Sequence, residues 1–272
     1  MAHRNIRSFQ TLVKHSPINT LAFDFHCNGQ STGAKEDWSL GGYQREAYDD
    51  LEGVVRWIES RGGRVLIILG HSRGASVVLM HSMEFDHVPY VLSLAARFDP
   101  STGLDPYFKP GDRERLLNGE VHVVECQKQF SDGIPRFISA KCLKQRLAID
   151  MSKLRDLTHT KAIFFVHGAS DETIPPSHAL LLAATLAGKE TPGLTDGDLS
   201  DSVLAQSDLT EVTNPAGVKG FVKIVGDANH SLKSPHGKKG FEPLLELMSV
   251  IYDQIRMIEN CSMCLHTAPH MP

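Results

Sequence analysis

Arg64-Val65-Leu66-Ile67-Ile68-Leu69-Gly70-His71-Ser72-Arg73-Gly74-Ala75-Ser76-Val77-Val78-Leu79-Met80 decides how this chain folds. The aliphatic run through Leu69 reads as a buried parallel strand, because a strand covered on both faces is apolar without alternation. Ala75–Met80 can wind as a buried helix. Between them stands Gly70-His71-Ser72-Arg73-Gly74. Strand, G-x-S-x-G, helix is the context of a nucleophile elbow, and the tight turn expects very small residues, Gly70 and Gly74, two places either side of the serine. The Ser72 hydroxyl then stands clear of the sheet. Below it begins a helix whose first N–H groups have no intrahelical acceptor and can stabilise an oxyanion. The bare pattern also fits an ordinary strand-to-helix turn in which the glycines only ease packing, so the rest of the chain has to decide.

A serine hydroxyl is a poor nucleophile until a base takes its proton, and the base needs an acid to hold it. On a strand–elbow–helix frame the order along the chain is Ser, then Asp or Glu, then His. Ala162-Ile163-Phe164-Phe165-Val166-His167-Gly168-Ala169-Ser170-Asp171-Glu172 is a second buried strand ending in a glycine turn that carries an acid. Gly220-Phe221-Val222-Lys223-Ile224-Val225-Gly226-Asp227-Ala228-Asn229-His230 is a third strand whose trailing loop ends in a histidine. All three groups fall just past the carboxyl ends of parallel strands, the edge where open α/β sheets bind ligands. The chain has 14 His, and His236, His266 and His270 lie later still, but only His230 follows a strand at a short loop's length. His167 precedes the acid and is expected to pack at the strand end. Glu172 and Asp227 compete with Asp171 for the acid.

With these residues in place the chain resembles the α/β-hydrolases, and most closely their serine esterase, serine aminopeptidase-like and feruloyl-esterase-like branch. The resemblance is carried by Leu21-Ala22-Phe23-Asp24-Phe25-His26-Cys27-Asn28-Gly29-Gln30-Ser31, the Gly70–Gly74 elbow, Val166–Pro175 and Gly226–His230, and it spans about Asn19 to Asp253. It implies an α/β-hydrolase fold: a mostly parallel sheet flanked by helices, with a small cap insertion. It implies Ser72 as nucleophile, Asp171 as orienting acid, His230 as base and the backbone N–H of Arg73 as an oxyanion donor. The Arg73 side chain varies in such enzymes. With Ser rather than Asp as nucleophile, dehalogenase and epoxide-hydrolase chemistry is disfavoured.

Two departures stand out. Cys27 occupies a loop position where the family usually has Gly, a residue that allows a left-handed backbone. The family also has further strands before Phe23-Asp24-Phe25, the last ending in a His-Gly loop that supplies the second oxyanion N–H and lying between the strands matched here as Thr20–Phe25 and Arg64–Leu69. No such stretch precedes Thr20 in this sequence. Unmade buried hydrogen bonds cost about 1–3 kcal/mol each. Two expectations follow: the sequence begins inside a longer enzyme, its N-terminal strands missing, or the two strands close up and pair directly around a damaged oxyanion hole.

The chain has 272 residues, of which 41% are hydrophobic, ample for one sizeable core. A formal net charge of −4 and the absence of any basic stripe argue against nucleic-acid and anionic-membrane partners. No apolar stretch approaches the roughly 20 residues of a membrane helix, and Met1–Ser16 has no secretory core. Five cysteines (Cys27, Cys126, Cys142, Cys261, Cys264) are odd in number and scattered, which suits a reducing, cytoplasmic setting. The tail Cys261-x-x-Cys264 with His266 is too tight for a zinc finger and has no second half, so it reads as a frayed polar tail. No metal and no organic cofactor are expected.

Residues 1–272 read as a single domain. Ser8–Ser16 is expected as a helix, Asn28–Gln44 as a loop bordering the site, and Arg45–Arg61 as a helix with Ala47, Leu51, Val54, Val55 and Ile58 on one side. Val88–Ala95 reads as a strand and Ser177–Leu186 as a helix. Residues 98–160, with four prolines, break the rhythm and read as a cap containing a hairpin arm at Val121–Cys126. Its apolar residues Tyr107, Phe108, Phe130, Phe137 and Leu147 are expected to line or close an acyl pocket. Residues 188–215 read as a flexible surface insertion, and Phe241–Met257 as an amphipathic closing helix. The sequence thus predicts a hydrolase of a small-molecule carboxylic ester or, less favoured, an amide. The rival readings are a catalytically impaired hydrolase-like module and a serine aminopeptidase-like peptidase. Oligomeric state is left open.

Overall fold

A computed structural model of the chain describes residues 19–33, 41–128, 135–189, 210–233 and 249–258. Seven strands lie within them: β1 (Ile67–His71), β2 (Tyr90–Leu94), β3 (Val123–Glu125), β4 (Phe137–Ser139), β5 (Ala162–Gly168), β6 (Thr210–Thr213) and β7 (Lys219–Val225). Five form one sheet in the order β1-β2-β5-β7-β6. The first four are parallel, and β6 adds an antiparallel edge.

Alternation along the central strands builds two cores. Val91, Ile163, Phe165, Val222 and Ile224 face one side, under the helices Glu52–Glu59, Arg73–Glu84 and Ser177–Leu186. Tyr90, Leu92, Phe164, Val166, Phe221 and Val225 face the other, where Ile251 and Ile255 of the helical residues 249–258 cover them. Phe164 stacks on Phe221 with centroids 5.0 Å apart. Both faces are therefore dry, as the continuous apolar runs require. No helix among the described residues is long and apolar enough to cross a membrane.

Several expectations need correction. Thr20–Phe25, expected as a strand, joins no ladder among the described residues. Phe23 and Phe25 instead pack edge-to-face on each other and against the first core. The segment does not close onto β1: β1 pairs with β2 alone among the described strands. The strand expected at Arg64–Leu69 runs three to two residues later, into the elbow itself. Thr210–Thr213, expected inside a surface loop, pairs with Lys219–Val222. A polar four-residue edge strand has no apolar period by which sequence could find it.

The insertion contains the expected hairpin arm, with Val123–Glu125 antiparallel to Phe137–Ser139. Its apolar residues do not serve as expected, however. Leu104, Phe108, Leu116, Val124, Ile138 and Leu143 bury one another in a third core, with Tyr107 and Leu147 packed on it, while Phe137 is exposed. Ser8–Ser16, Phe130, Cys261, Cys264, His236, His266, His270 and most of 188–215 lie outside the described residues, as does the first half of the Phe241–Met257 helix.

Candidate active site

Ser72 leaves β1 directly and caps the helix Arg73–Glu84 with φ 55° and ψ −117°. Such a conformation costs a non-glycine residue on the order of 1–3 kcal/mol and persists only where the surroundings impose it. The imposition is visible. The Ser72 N–H donates to the Leu94 carbonyl at 2.8 Å, and a Cβ on Gly70 would come within 2.0 Å of the Gly74 carbonyl oxygen. Gly70 is thus required by space. Gly74 is not, since a Cβ there meets nothing within 4 Å outside its own helix, which corrects the symmetrical reading of the motif. At the first position of the helix, Arg73 presents an N–H with no intrahelical acceptor beside the Ser72 hydroxyl.

The three residues singled out in the sequence come together. His230 Nε2 lies 2.9 Å from Ser72 Oγ, and His230 Nδ1 lies 2.7 Å from Asp171 Oδ2. Asp171 Oδ1 accepts the N–H groups of Thr173 at 2.8 Å and Ile174 at 2.9 Å. Burial pushes the Asp171 carboxyl up, but hydrogen bonds from His167, His230 and the Ile174 N–H outweigh it and hold the group well below the usual carboxylate range. Asp171 is thereby an anion at any working pH. Both ring nitrogens of His230 are taken, by Asp171 and Ser72, so Asp171 rather than Glu172 or Asp227 is the acid on the ring.

The loops carrying acid and base are tied to each other. Ala169 N–H donates to the Val225 carbonyl and Ser170 N–H to the Ala228 carbonyl, both at 2.9 Å. A Cβ on Gly168 would sit 2.3 Å from the Ala228 oxygen, so glycine is what lets the two loops approach. Asn229 shapes the turn before the histidine, its Oδ1 accepting the Ser231 N–H at 3.0 Å.

Sequence reading missed three groups. His167, fully buried, sits 3.1 Å from Asp171 Oδ2 and 2.8 Å from the Ile174 carbonyl, so its Nε2–H braces the acid rather than merely filling the strand end. His71 reaches the His230 carbonyl at 2.6 Å, with the two rings 5.0 Å apart. Burial pushes the His71 pKa down to about 4, against the pull of that hydrogen bond, so the ring is neutral and donates. The Arg73 side chain is a clamp: its Nε pairs with Glu46 Oε2 at 2.8 Å, a terminal N–H reaches the Gly41 carbonyl, and the guanidinium lies 3.9 Å over the Tyr43 ring. It pins Gly41–Glu46, where the chain enters a π-helical stretch Glu46–Leu51, against the elbow. No motif marks an arginine for that task.

At Cys27 the backbone is left-handed, φ 64°. The loop that a glycine would serve is kept without one, at a cost of about 1–2 kcal/mol. Asp24 organises it, with Oδ2 accepting the Gln30 N–H at 3.0 Å and the main-chain oxygen accepting the Ser31 hydroxyl.

A family model described as "Alpha/beta hydrolase family" matches residues 3–232. Among solved structures the chain is similar to Est1E from Butyrivibrio proteoclasticus with ferulic acid bound: 16% identity, 94% of this chain and 83% of that one, TM-score 0.53. It is also similar to a putative hydrolase from Agrobacterium vitis: 18% identity, 92% and 82% covered, TM-score 0.59. A third is a soluble variant of monoglyceride lipase from Saccharomyces cerevisiae in complex with a substrate analogue: 12% identity, 85% and 76% covered, TM-score 0.56. At these identities the likeness is one of fold. A search of curated proteins finds no match.

Proposed function

Because the chain belongs to the alpha/beta hydrolase family, we propose that it is a serine hydrolase cleaving a carboxylic ester of a small molecule through an acyl-enzyme. The observation that carries this reading is the continuous chain from Ser72 Oγ through His230 to Asp171 at 2.9 and 2.7 Å, the order and reach that nucleophile, base and orienting acid need. Ser72 Oγ attacks the acyl carbon while His230 Nε2 takes its proton. The Arg73 N–H donates to the oxyanion. Collapse breaks the acyl–oxygen bond, and His230 returns the proton to the departing alcohol. Water, deprotonated by the same Nε2, then attacks the acyl-enzyme, releasing the acid and restoring Ser72. Throughout, ionised Asp171 holds the Nδ1–H and stabilises the imidazolium.

An ester suits the site better than an amide. An alkoxide leaves far more readily than an amide anion, so an ester depends less on full proton transfer to the departing group, and one backbone donor at the elbow is what the described residues identify for the oxyanion. Losing a second donor typically costs about 10²–10³ in turnover. The test is a panel of p-nitrophenyl esters of graded acyl length beside aminoacyl-p-nitroanilides, each run with Ser72→Ala. Ester turnover that disappears in the variant is expected. Turnover of anilides in preference to esters would transfer the assignment to a peptidase. No Ser72-dependent turnover of either, in folded protein, would leave a hydrolase-like module without catalysis.

A further inference from the structure

Glu52, His81 and His87 form a second cluster, well removed from the triad. His81 lies nine residues along the helix that Ser72 caps, about 13 Å at 1.5 Å per residue. Glu52 opens the neighbouring helix Glu52–Glu59, and His87 follows the elbow helix by three residues. Glu52 Oε2 is approached by His81 Nε2 at 3.0 Å and by His87 Nε2 at 2.9 Å, and the three donor atoms lie within 4.8 Å of one another. Glu52 is 5% exposed and His81 fully buried, whereas the His87 side chain is 22% exposed and opens the cluster to solvent. Phe85 lies against both imidazoles, with centroids at 4.8 and 5.9 Å, and makes an apolar wall.

We propose that these three side chains bind one divalent transition-metal ion, zinc by the chemistry of the donors, with water in a fourth position on the His87 side. Two imidazoles and a carboxylate are a zinc ligand set that leaves one position open. Ligand bonds of about 2.0–2.1 Å place tetrahedral donors roughly 3.3 Å apart. The two imidazole–carboxylate separations fall just short of that, and the His81–His87 edge, no longer than 4.8 Å, has to close to the same length. The alternative is a metal-free network in which both rings donate Nε2–H to one oxygen. Metal binding replaces it by moving each ring proton to Nδ1, with no net change in charge on the rings. His81 Nδ1 is buried without a partner in the network. As an N–H it would still have none, so the change of tautomer strands no new polar atom. Arg56, which pairs with the other oxygen of Glu52, has a side chain 66% exposed and swings out to water without a burial cost.

Titration of the chelator-treated full chain with zinc chloride, followed by calorimetry, tests this. One saturable equivalent is expected. His87→Asn removes the half-exposed ligand with little risk to folding, which circular dichroism checks, and Glu52→Gln removes the shared one. Each should weaken zinc binding by more than the 10–100-fold typical of losing an outer-shell partner. A Cys261→Ser/Cys264→Ser double variant should bind as wild type. With cobalt in place of zinc, no thiolate charge-transfer band should appear. Absence of saturable binding, binding undiminished in His87→Asn, or binding abolished in the double cysteine variant would overturn the proposal.

Discussion

Asp171 and His230 leave β5 and β7, two seven-residue strands paired along their whole length. Ser72 leaves β1, a five-residue strand that pairs with β2 on one side and with no other described strand. Every residue of β5 is buried, whereas β1 alternates between buried and half-buried. The acid–base half is therefore held by main chain against main chain, through the Ala169 and Ser170 donors and the close approach at Gly168. Among the described residues the nucleophile half is held by β2, by the Ser72 N–H on the Leu94 carbonyl and by a side chain, Arg73, that fastens the elbow to Gly41–Glu46. Both halves use side-chain braces, His167 and His71 on the acid–base side and Arg73 at the elbow, but among the described residues only the acid and base loops are also tied to each other main chain to main chain.

The strongest way to break the contrast is at the acid. Asp171→Asn keeps the shape but removes the charge that fixes the His230 tautomer, and it should lower kcat about 10⁴-fold with thermal stability less affected. Arg73→Ala attacks the flank. It strands Glu46, whose side chain is nearly buried and whose carboxyl burial already pushes up in pKa, and should cost about 3 kcal/mol in denaturant unfolding. Arg73→Lys should recover only part, since a lysine cannot span Glu46 and the Gly41 carbonyl as a planar fork does.

His71 gives the contrast a pH signature. Its folded pKa of about 4 lies below the ordinary value of 6.5, so as pH falls the unfolded chain takes the proton first. Stability is full above about pH 6.5 and drains between 6.5 and 4, by roughly 3 kcal/mol at most. Asp171 is depressed in the folded state, and its contribution is lost only below the ordinary carboxylate range. Chemical denaturation at stepped pH should show the upper window flatten in His71→Asn while the lower one persists.

Gly168→Ala forces a methyl against the Ala228 oxygen and should cost about 1–3 kcal/mol, with kcat falling more than KM rises because the His230 loop is displaced. Smallest is Cys27→Gly, which relieves the left-handed strain at φ 64° and should raise stability by about 1 kcal/mol, seen as a rise in Tm.

The same division decides what the sequence made legible. The elbow, the acid turn and the histidine loop were readable because each follows an apolar strand with glycine punctuation, and the fold, not the reaction, sets their order. β2, the helix Ser177–Leu186 and the hairpin arm at Val123–Glu125 followed from pattern alone. Thr20–Phe25 has the alternation of a strand, yet a strand needs a ladder partner, and none of the described strands is one. Tyr107 and Phe108 misled because an apolar residue in an insertion reads the same whether it faces a ligand or its own core. His167, His71 and the Arg73 clamp act through contacts between segments distant in sequence, and no local spacing announces them.

Whether Ser72 is an activated nucleophile is read by intact-mass analysis after exposure to a fluorophosphonate, a reagent that bonds to a serine activated by its neighbours. One adduct per chain is expected, mapped by peptide sequencing to Ser72, absent in Ser72→Ala and strongly slowed in Asp171→Asn. Folded protein that takes up no label, or label that persists in Ser72→Ala, would contradict it.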